Sequence, residues 1–269
     1  MFDIGNLIIN RPGLGYWIDK ETSKVTCYLD EVSEFSLETS TETVDVTDAL
    51  GTIVASFDRS KTATANGTCA FVNLGLAATQ FGSDKEIASA DNKITTPCVD
   101  IIEIGATGGT VNKTITLTNT PTGVSGAEVK NIYLVGLGSL STSFEVGEEA
   151  ENFQITGSTI TLPTSYAFKA TDKIFVQYET ESENAVRVVN SGDVFAKPGK
   201  YVQQVYLTDP CGSGEGNVEY FGWIVFPNAK MDTDITIDFS DEANHEYSVK
   251  AMLDWCSNDK KLFEIVVAK

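Results

Sequence analysis

Histidine is almost absent from this 269-residue chain: there is one, His245, against 38 Asp and Glu and 19 Lys and Arg. Catalysis by a serine or cysteine nucleophile with an imidazole base would have to use it. It stands in the polar stretch Asp241-Glu-Ala-Asn-His-Glu246, which reads as a turn or strand end rather than a catalytic position. Positive charge is scarce as well. A net charge of −19 argues against a protein that grips nucleic-acid phosphates, because that grip needs clustered Lys and Arg. It does not exclude a protein that nucleic acid slides past. No run of about 18 apolar residues is present, so no helix of this sequence would span a bilayer. The start, Met1-Phe2-Asp3-Ile4-Gly5-Asn6, has an early acid and no basic region, unlike a secretory signal. Folding in a cytoplasm is the expectation.

The five cysteines, at 27, 69, 98, 211 and 256, are odd in number and never in CxxC spacing. Neither a disulfide framework nor a zinc site is indicated. Cys27, Cys69 and Cys98 have apolar neighbours and read as small core residues. Cys211 and Cys256 each follow an acid two positions earlier and read as a reduced pair that could be neighbours in space.

Other chemistries fail on spacing. Asp232-x-Asp234 invites a calcium loop, but an EF-hand needs Gly at its sixth position and Glu at its twelfth, where this chain has Ile237 and Ala243. Gly212-Ser-Gly-Glu-Gly216 is glycine-rich without being GxGxxG and lies between two strands, so it reads as a hairpin loop. No pair of carboxylates is singled out for glycoside hydrolysis. No catalytic residue, cofactor site or metal site is predicted.

What is abundant is Thr, Val, Ile, Ser and Gly, with turn residues at short intervals, the pattern of an all-β chain. Strands are predicted over 24–30, 34–46, 52–58, 61–72, 98–104, 110–119, 130–135, 143–146, 152–155, 158–162, 173–179, 185–190, 199–208, 218–227, 233–239, 246–255 and 261–267. Leu74, Ala77, Ala78 and Phe81 fall at i, i+3, i+4 and i+7 and predict one short helix. The clean alternation of Asp232–Phe239 predicts a strand with Ile235, Ile237 and Phe239 on one side and Asp234, Thr236 and Asp238 on the other.

The acids are unevenly placed. Residues 1–103 hold 16 Asp and Glu against 7 Lys and Arg, 104–180 hold 7 against 4, and 181–269 hold 15 against 8. Glu34, Glu38 and Glu42 recur at even spacing, as do Asp232, Asp234 and Asp238, which puts each set on one face of a strand. The chain divides into 1–104, a low-charge stretch 105–180 that reads as a compact β-sandwich of its own, and 181–269. Residues 1–104 and 181–269 form one domain together or two repeats.

With its long polar hairpin 34–46 and 52–72, the short helix at Leu74–Phe81, the segments Thr110–Asn119 and Asp172–Glu179, and the pattern Asp232–Phe239 followed by Tyr247–Ser257, the chain resembles bacteriophage tail tube proteins. The resemblance is to a type that carries an immunoglobulin-like sandwich module. It implies a tail-tube-type β-sandwich or barrel-forming domain with one short helix, split around a separate Ig-like β-sandwich. It also implies a structural virion protein, assembled in the host cytoplasm, that stacks in rings so that hairpins of neighbouring subunits close into a barrel around a channel. The implied partners are other copies of the chain and tape-measure, tail-terminator and baseplate proteins, with DNA passing through unbound and no membrane. Glu34, Glu38 and Glu42 then line the channel. Asp232, Asp234 and Asp238 either line it too or form a solvated face. A capsid or capsid decoration protein and a cell-surface β-sandwich adhesin are the competing readings.

Overall fold

A computed structural model describes residues 7–123, 128–136, 138–209, 219–239, 244–255 and 259–268. The chain opens with β1 (Ile8–Asp19), β2 (Val25–Leu29), β3 (Val32–Thr47), β4 (Ile53–Cys69) and the helix α1 (Leu74–Phe81). It continues through β5 (Glu86–Ile87), β6 (Ile94–Glu103), β7 (Ala106–Thr107), β8 (Thr110–Val111), β9 (Thr114–Thr116), β10 (Val129–Val135) and β11 (Leu140–Phe144). Then come β12 (Gln154–Thr156), β13 (Thr159–Thr161), β14 (Lys173–Ser182) and β15 (Val186–Arg187). It closes with β16 (Gly199–Thr208), β17 (Glu219–Met231), β18 (His245–Ala251) and β19 (Glu264–Ala268). The protein is all-β with one short helix.

Contacts divide it into two units, Met1–Lys85 with Val188–Lys269, and Glu86–Arg187. The second unit is larger than the 105–180 stretch because β6 pairs with β14 over its whole length, from Ile94 opposite Ser182 to Glu103 opposite Lys173. Those ten residues look like a continuation of the preceding strands until their partner is known. Within this unit a four-stranded sheet, β11-β10-β14-β6, and a three-stranded sheet, β12-β13-β9, share a core of Ile115, Leu117, Ile132, Phe153, Ile160, Ile174, Val176 and Tyr178.

The first unit is one antiparallel sheet in the order β2-β1-β16-β17-β18-β4-β3, with β19 on the far edge of β17. Trp17 and Leu29 from one end of this path share a core with Ala65, Tyr247 and Val249 from the other, so the sheet curls over its own apolar face. Two glycines permit the packing. A Cβ on Gly67 would lie 2.4 Å from the Tyr247 ring, and one on Gly199 would lie 2.4 Å from Trp17 Nε1. At the centre, Tyr201 Oη donates to Gln203 Oε1 (2.7 Å) and lies 2.9 Å from Tyr247 Oη, while Gln203 Nε2 donates to the Gly13 carbonyl. Burial is thereby compatible with hydrogen-bonded polar atoms.

Helix α1 starts where Asn73, in extended conformation, accepts the Gly75 and Leu76 N–H groups on Oδ1. It ends at Gly82, whose φ of 73° suits a residue without a Cβ. Leu76, Ala77 and Ala78 are its buried apolar side chains.

Several expectations are corrected. Residues 52–58 and 61–72 are not two strands but one, β4, carrying an irregularity between the Thr41–Lys61 and Glu42–Arg59 pairs that leaves Ser60 unmatched. The predicted strand 233–239 does not form: β17 ends at Met231, a lone bridge joins Ile237 to His245, and Phe239 is 80% exposed. Strand β1 escaped the sequence reading, hidden by Arg-Pro-Gly-Leu-Gly. Register shifts between Ile9 and Arg11 and between Pro12 and Gly15 absorb those residues. The Cys211–Cys256 pair and the Gly212–Gly216 loop lie outside the described residues.

Candidate functional site

The polar face of the β3–β4–β18 part of the sheet is built by alternation. Phe35 and Leu37 of β3, Ala63, Ala65 and Cys69 of β4, and Tyr247 and Val249 of β18 turn to the core. Their neighbours along each strand must then point the other way. Register fixes the rows on that outer face. Glu34 stands opposite Thr68, which stands opposite Glu246; Glu38 stands opposite Thr64, which stands opposite Lys250. Glu34, Glu38 and Glu42 are all exposed. Spaced four residues apart, they follow one another at intervals of about 13 Å.

β18 pairs β4 only up to Thr64, so beyond that point β3 and β4 continue as a two-stranded arm. The arm extends about 30 Å, judged from the nine β3 residues Thr39–Thr47. The unmatched Ser60 changes which β4 residues share the face with β3. On the side that carries Glu42 the arm continues with Val44 opposite Phe57 and Val46 opposite Ala55. Phe57 is 58% exposed and Val46 48%. Ser60 Oγ donates to Glu42 Oε2 at 3.2 Å, so the irregularity also anchors the last carboxylate of the row. At the tip, Asp48 Oδ1 accepts the Leu50 and Thr52 N–H groups, Gly51 turns the chain with φ 82°, and Leu50 is 91% exposed.

The aspartates are disposed differently from the glutamates. Asp232 forms an ion pair with Lys250, and that hydrogen bond holds its carboxyl below the ordinary range. Asp234 is exposed, its N–H donating to Asp232 Oδ1, and it lines a pocket of about 420 Å³ with Glu34, Ser36, Asn66, Thr68, Glu246 and Ser248. Asp238 donates its N–H to the Asn244 carbonyl and does not line that pocket. Glu34 and Asp234, 200 positions apart in sequence, are thus brought together, and Glu246 joins them unforeseen. The alternation of Glu246, Ser248 and Lys250 against Tyr247 and Val249 was the signal that could have found it. Lys250 and Arg59 lie on the same face, which is acidic but not uniformly so.

His245 and two of the thiols belong to the core. His245 opens β18 and is fully buried. Its Nδ1 accepts the Asn73 N–H (3.3 Å), so the proton sits on Nε2, 2.7 Å from Gln80 Oε1. Burial pushes its pKa down to about 4. The Cys27 and Cys69 thiols are pushed up by burial to about 11 and about 12, which leaves negligible thiolate at neutral pH. Among the described residues no three His, Cys, Asp or Glu side chains are placed to hold a metal ion, and no helix is long and apolar enough to cross a membrane.

No individually curated protein matches the chain. The sequence model of the YomU/Tube protein family matches residues 15–262, which takes in β1 from Gly15 onward, the long arm, the inserted unit and the returning strands to the edge of β19. With that span matched, and with an all-β architecture whose longest element is an exposed hairpin, the chain belongs to the YomU/Tube protein family and is a structural protein of a bacteriophage tail tube.

Proposed function

We propose that this protein polymerises as stacked rings around an acidic channel through which the phage genome passes. The observation that carries the reading is the β3–β4 hairpin. One face of it presents Glu34, Glu38 and Glu42, all exposed, and β3 has a strand neighbour on one side alone among the described strands. A free edge of 16 residues is a template for further pairing. Hairpins of neighbouring subunits, joined edge to edge, close a barrel and remove that edge. Carboxylates on the inner wall repel phosphates, so DNA slides without sticking. Glu34, Glu38 and Glu42 are the wall residues. Asp234 and Glu246 add to the same field near Glu34, and Asp232 is largely neutralised by Lys250. Other copies of the chain are the main partner, with tape-measure, tail-terminator and baseplate proteins at the ends of the tube, and assembly takes place in the host cytoplasm.

Electron microscopy of the purified protein tests the assembly: long hollow polymers support it, and closed shells or strict monomers refute it. The lining is tested by replacing Glu34, Glu38 and Glu42 with Lys. Three changes of +2 each move the subunit from −19 to −13 and place all the change on one hairpin face. Particles should assemble and eject DNA slowly, with the defect relieved at high salt. Ejection at the wild-type rate would remove these residues from the wall.

A further inference from the structure

The arm of the hairpin ends in apolar side chains that the subunit itself does not cover. Leu50 is 91% exposed, Val54 67% and Ile53 58%. Between residues 43 and 57 the chain has two acids, Asp45 and Asp48, and no Lys or Arg. Asp48 holds two N–H groups of the turn, which shapes the tip for docking.

Partway along the arm lies a pocket of opposite character. Lys61, Leu253, Lys260, Leu262 and Phe263 line a volume of about 360 Å³. Lys61 is the last β4 residue in regular register before Ser60, three positions beyond Thr64, so the pocket opens on the near half of the arm. Two lysines and no carboxylate line it, in a chain with twice as many acids as bases. Neither lysine has an ion-pair partner among the described residues.

An apolar tip flanked by two acids and an apolar pocket flanked by two lysines are complementary, and about 26 Å of extended strand, Ile53 to Lys61, separates them. They cannot meet within one subunit. We propose that the tip of one copy, led by Leu50, seats in the Leu253–Leu262–Phe263 pocket of a second copy, with Asp45 and Asp48 facing Lys61 and Lys260. The contact is heterologous: each copy offers a tip and a pocket, so the joint repeats without limit along the polymer. The proposal rests on the tube reading and specifies which surfaces join successive layers.

Two blocked proteins test it. Leu50→Asp spoils the tip and leaves the pocket; Leu253→Asp spoils the pocket and leaves the tip. Each alone should give at least tenfold less long polymer than wild type at equal concentration. Mixed, they should join once, doubling the mass of the particle that either forms alone, as read by analytical ultracentrifugation. Circular dichroism checks that both fold, and Lys61→Glu, at an exposed strand position, replaces Leu253→Asp if the latter does not. Wild-type polymers with undiminished Leu50→Asp polymers would overturn this joint and leave the tube reading intact. Folded variants that fail to associate on mixing would also overturn it. A wild-type protein that never polymerises would overturn the tube reading itself.

Discussion

His245 is the only histidine in the chain, which makes its titration directly observable. In the fold its imidazole is neutral, accepting from Asn73 N–H and facing Gln80 Oε1, with burial holding the pKa near about 4 instead of 6.5. The unfolded chain therefore takes up the proton first as pH falls. Above about pH 7 neither state is protonated there and the group has no pH-dependent effect. From pH 6.5 down to 4 the unfolded state gains, and stability is lost; below 4 the loss levels off. Linkage gives a loss of about 2 kcal/mol at pH 5 and about 3 kcal/mol at pH 4. The assay compares urea midpoints of wild type and His245→Gln at pH 7, 5 and 4, so that the carboxylates, common to both proteins, cancel. Wild type should lose about 2 kcal/mol more than the variant between pH 7 and 5. The imidazole Cε1 proton in the NMR spectrum should stay at its neutral shift down to about pH 5. Equal losses in the two proteins, or an imidazole titrating near 6.5, would refute the buried, neutral assignment.

Two further substitutions probe the same corner of the fold. A Cβ at Gly82 would lie 2.1 Å from the Phe195 carbonyl oxygen at a residue with φ 73°. Gly82→Ala should therefore cost about 3 kcal/mol, a fall in Tm of about 6–12 °C, and a shift below about 2 °C would contradict the contact. Asn73→Ala removes the acceptor for two helix N–H groups and the Nδ2 bond to the Tyr28 carbonyl. It should cost about 1 kcal/mol and raise hydrogen exchange at Gly75 and Leu76, the amides left without partners.

The sequence disclosed what is local. Helix α1 was legible from four residues at helical spacing, and β16 from the Tyr and Val residues on either side of Gln203-Gln204. The placement of Glu34, Glu38 and Glu42 on one face of a strand followed from their even spacing. What failed was decided by partners far along the chain. Asp232–Phe239 alternates as well as any strand, yet its neighbour β18 has regular ladder contacts to β17 only over Ala229–Met231. The segment instead touches β18 at scattered points and puts Asp234 and Ile235 against the pocket. His245 read as a turn or strand end, and it does open β18, but its polar six-residue neighbourhood concealed its burial; Gln80 and Asn73, which hydrogen-bond its ring nitrogens, are 165 and 172 positions away. The split of β4 at Asp58-Arg-Ser60 was a real irregularity read as a break. The chain stays extended there and changes only its phase.

The inserted unit has a simple connection to the rest of the chain. Its first and last residues are cross-strand neighbours: Glu86 stands opposite Arg187 and Ile87 opposite Val186, with the Glu86 carboxylate ion-paired to the guanidinium. Antiparallel neighbours of this kind are about 5 Å apart. To the strands of the first unit, 102 residues are therefore equivalent to a short turn. A unit attached this way can be lost, enlarged or exchanged for another without altering the strands on either side, because the gap left behind is one that a tight loop can bridge. In a polymer of identical subunits each exchange would be multiplied along the whole tail, so the points of attachment at 86 and 187 offer evolution, or an engineer, a socket for displaying a foreign domain in a regular array.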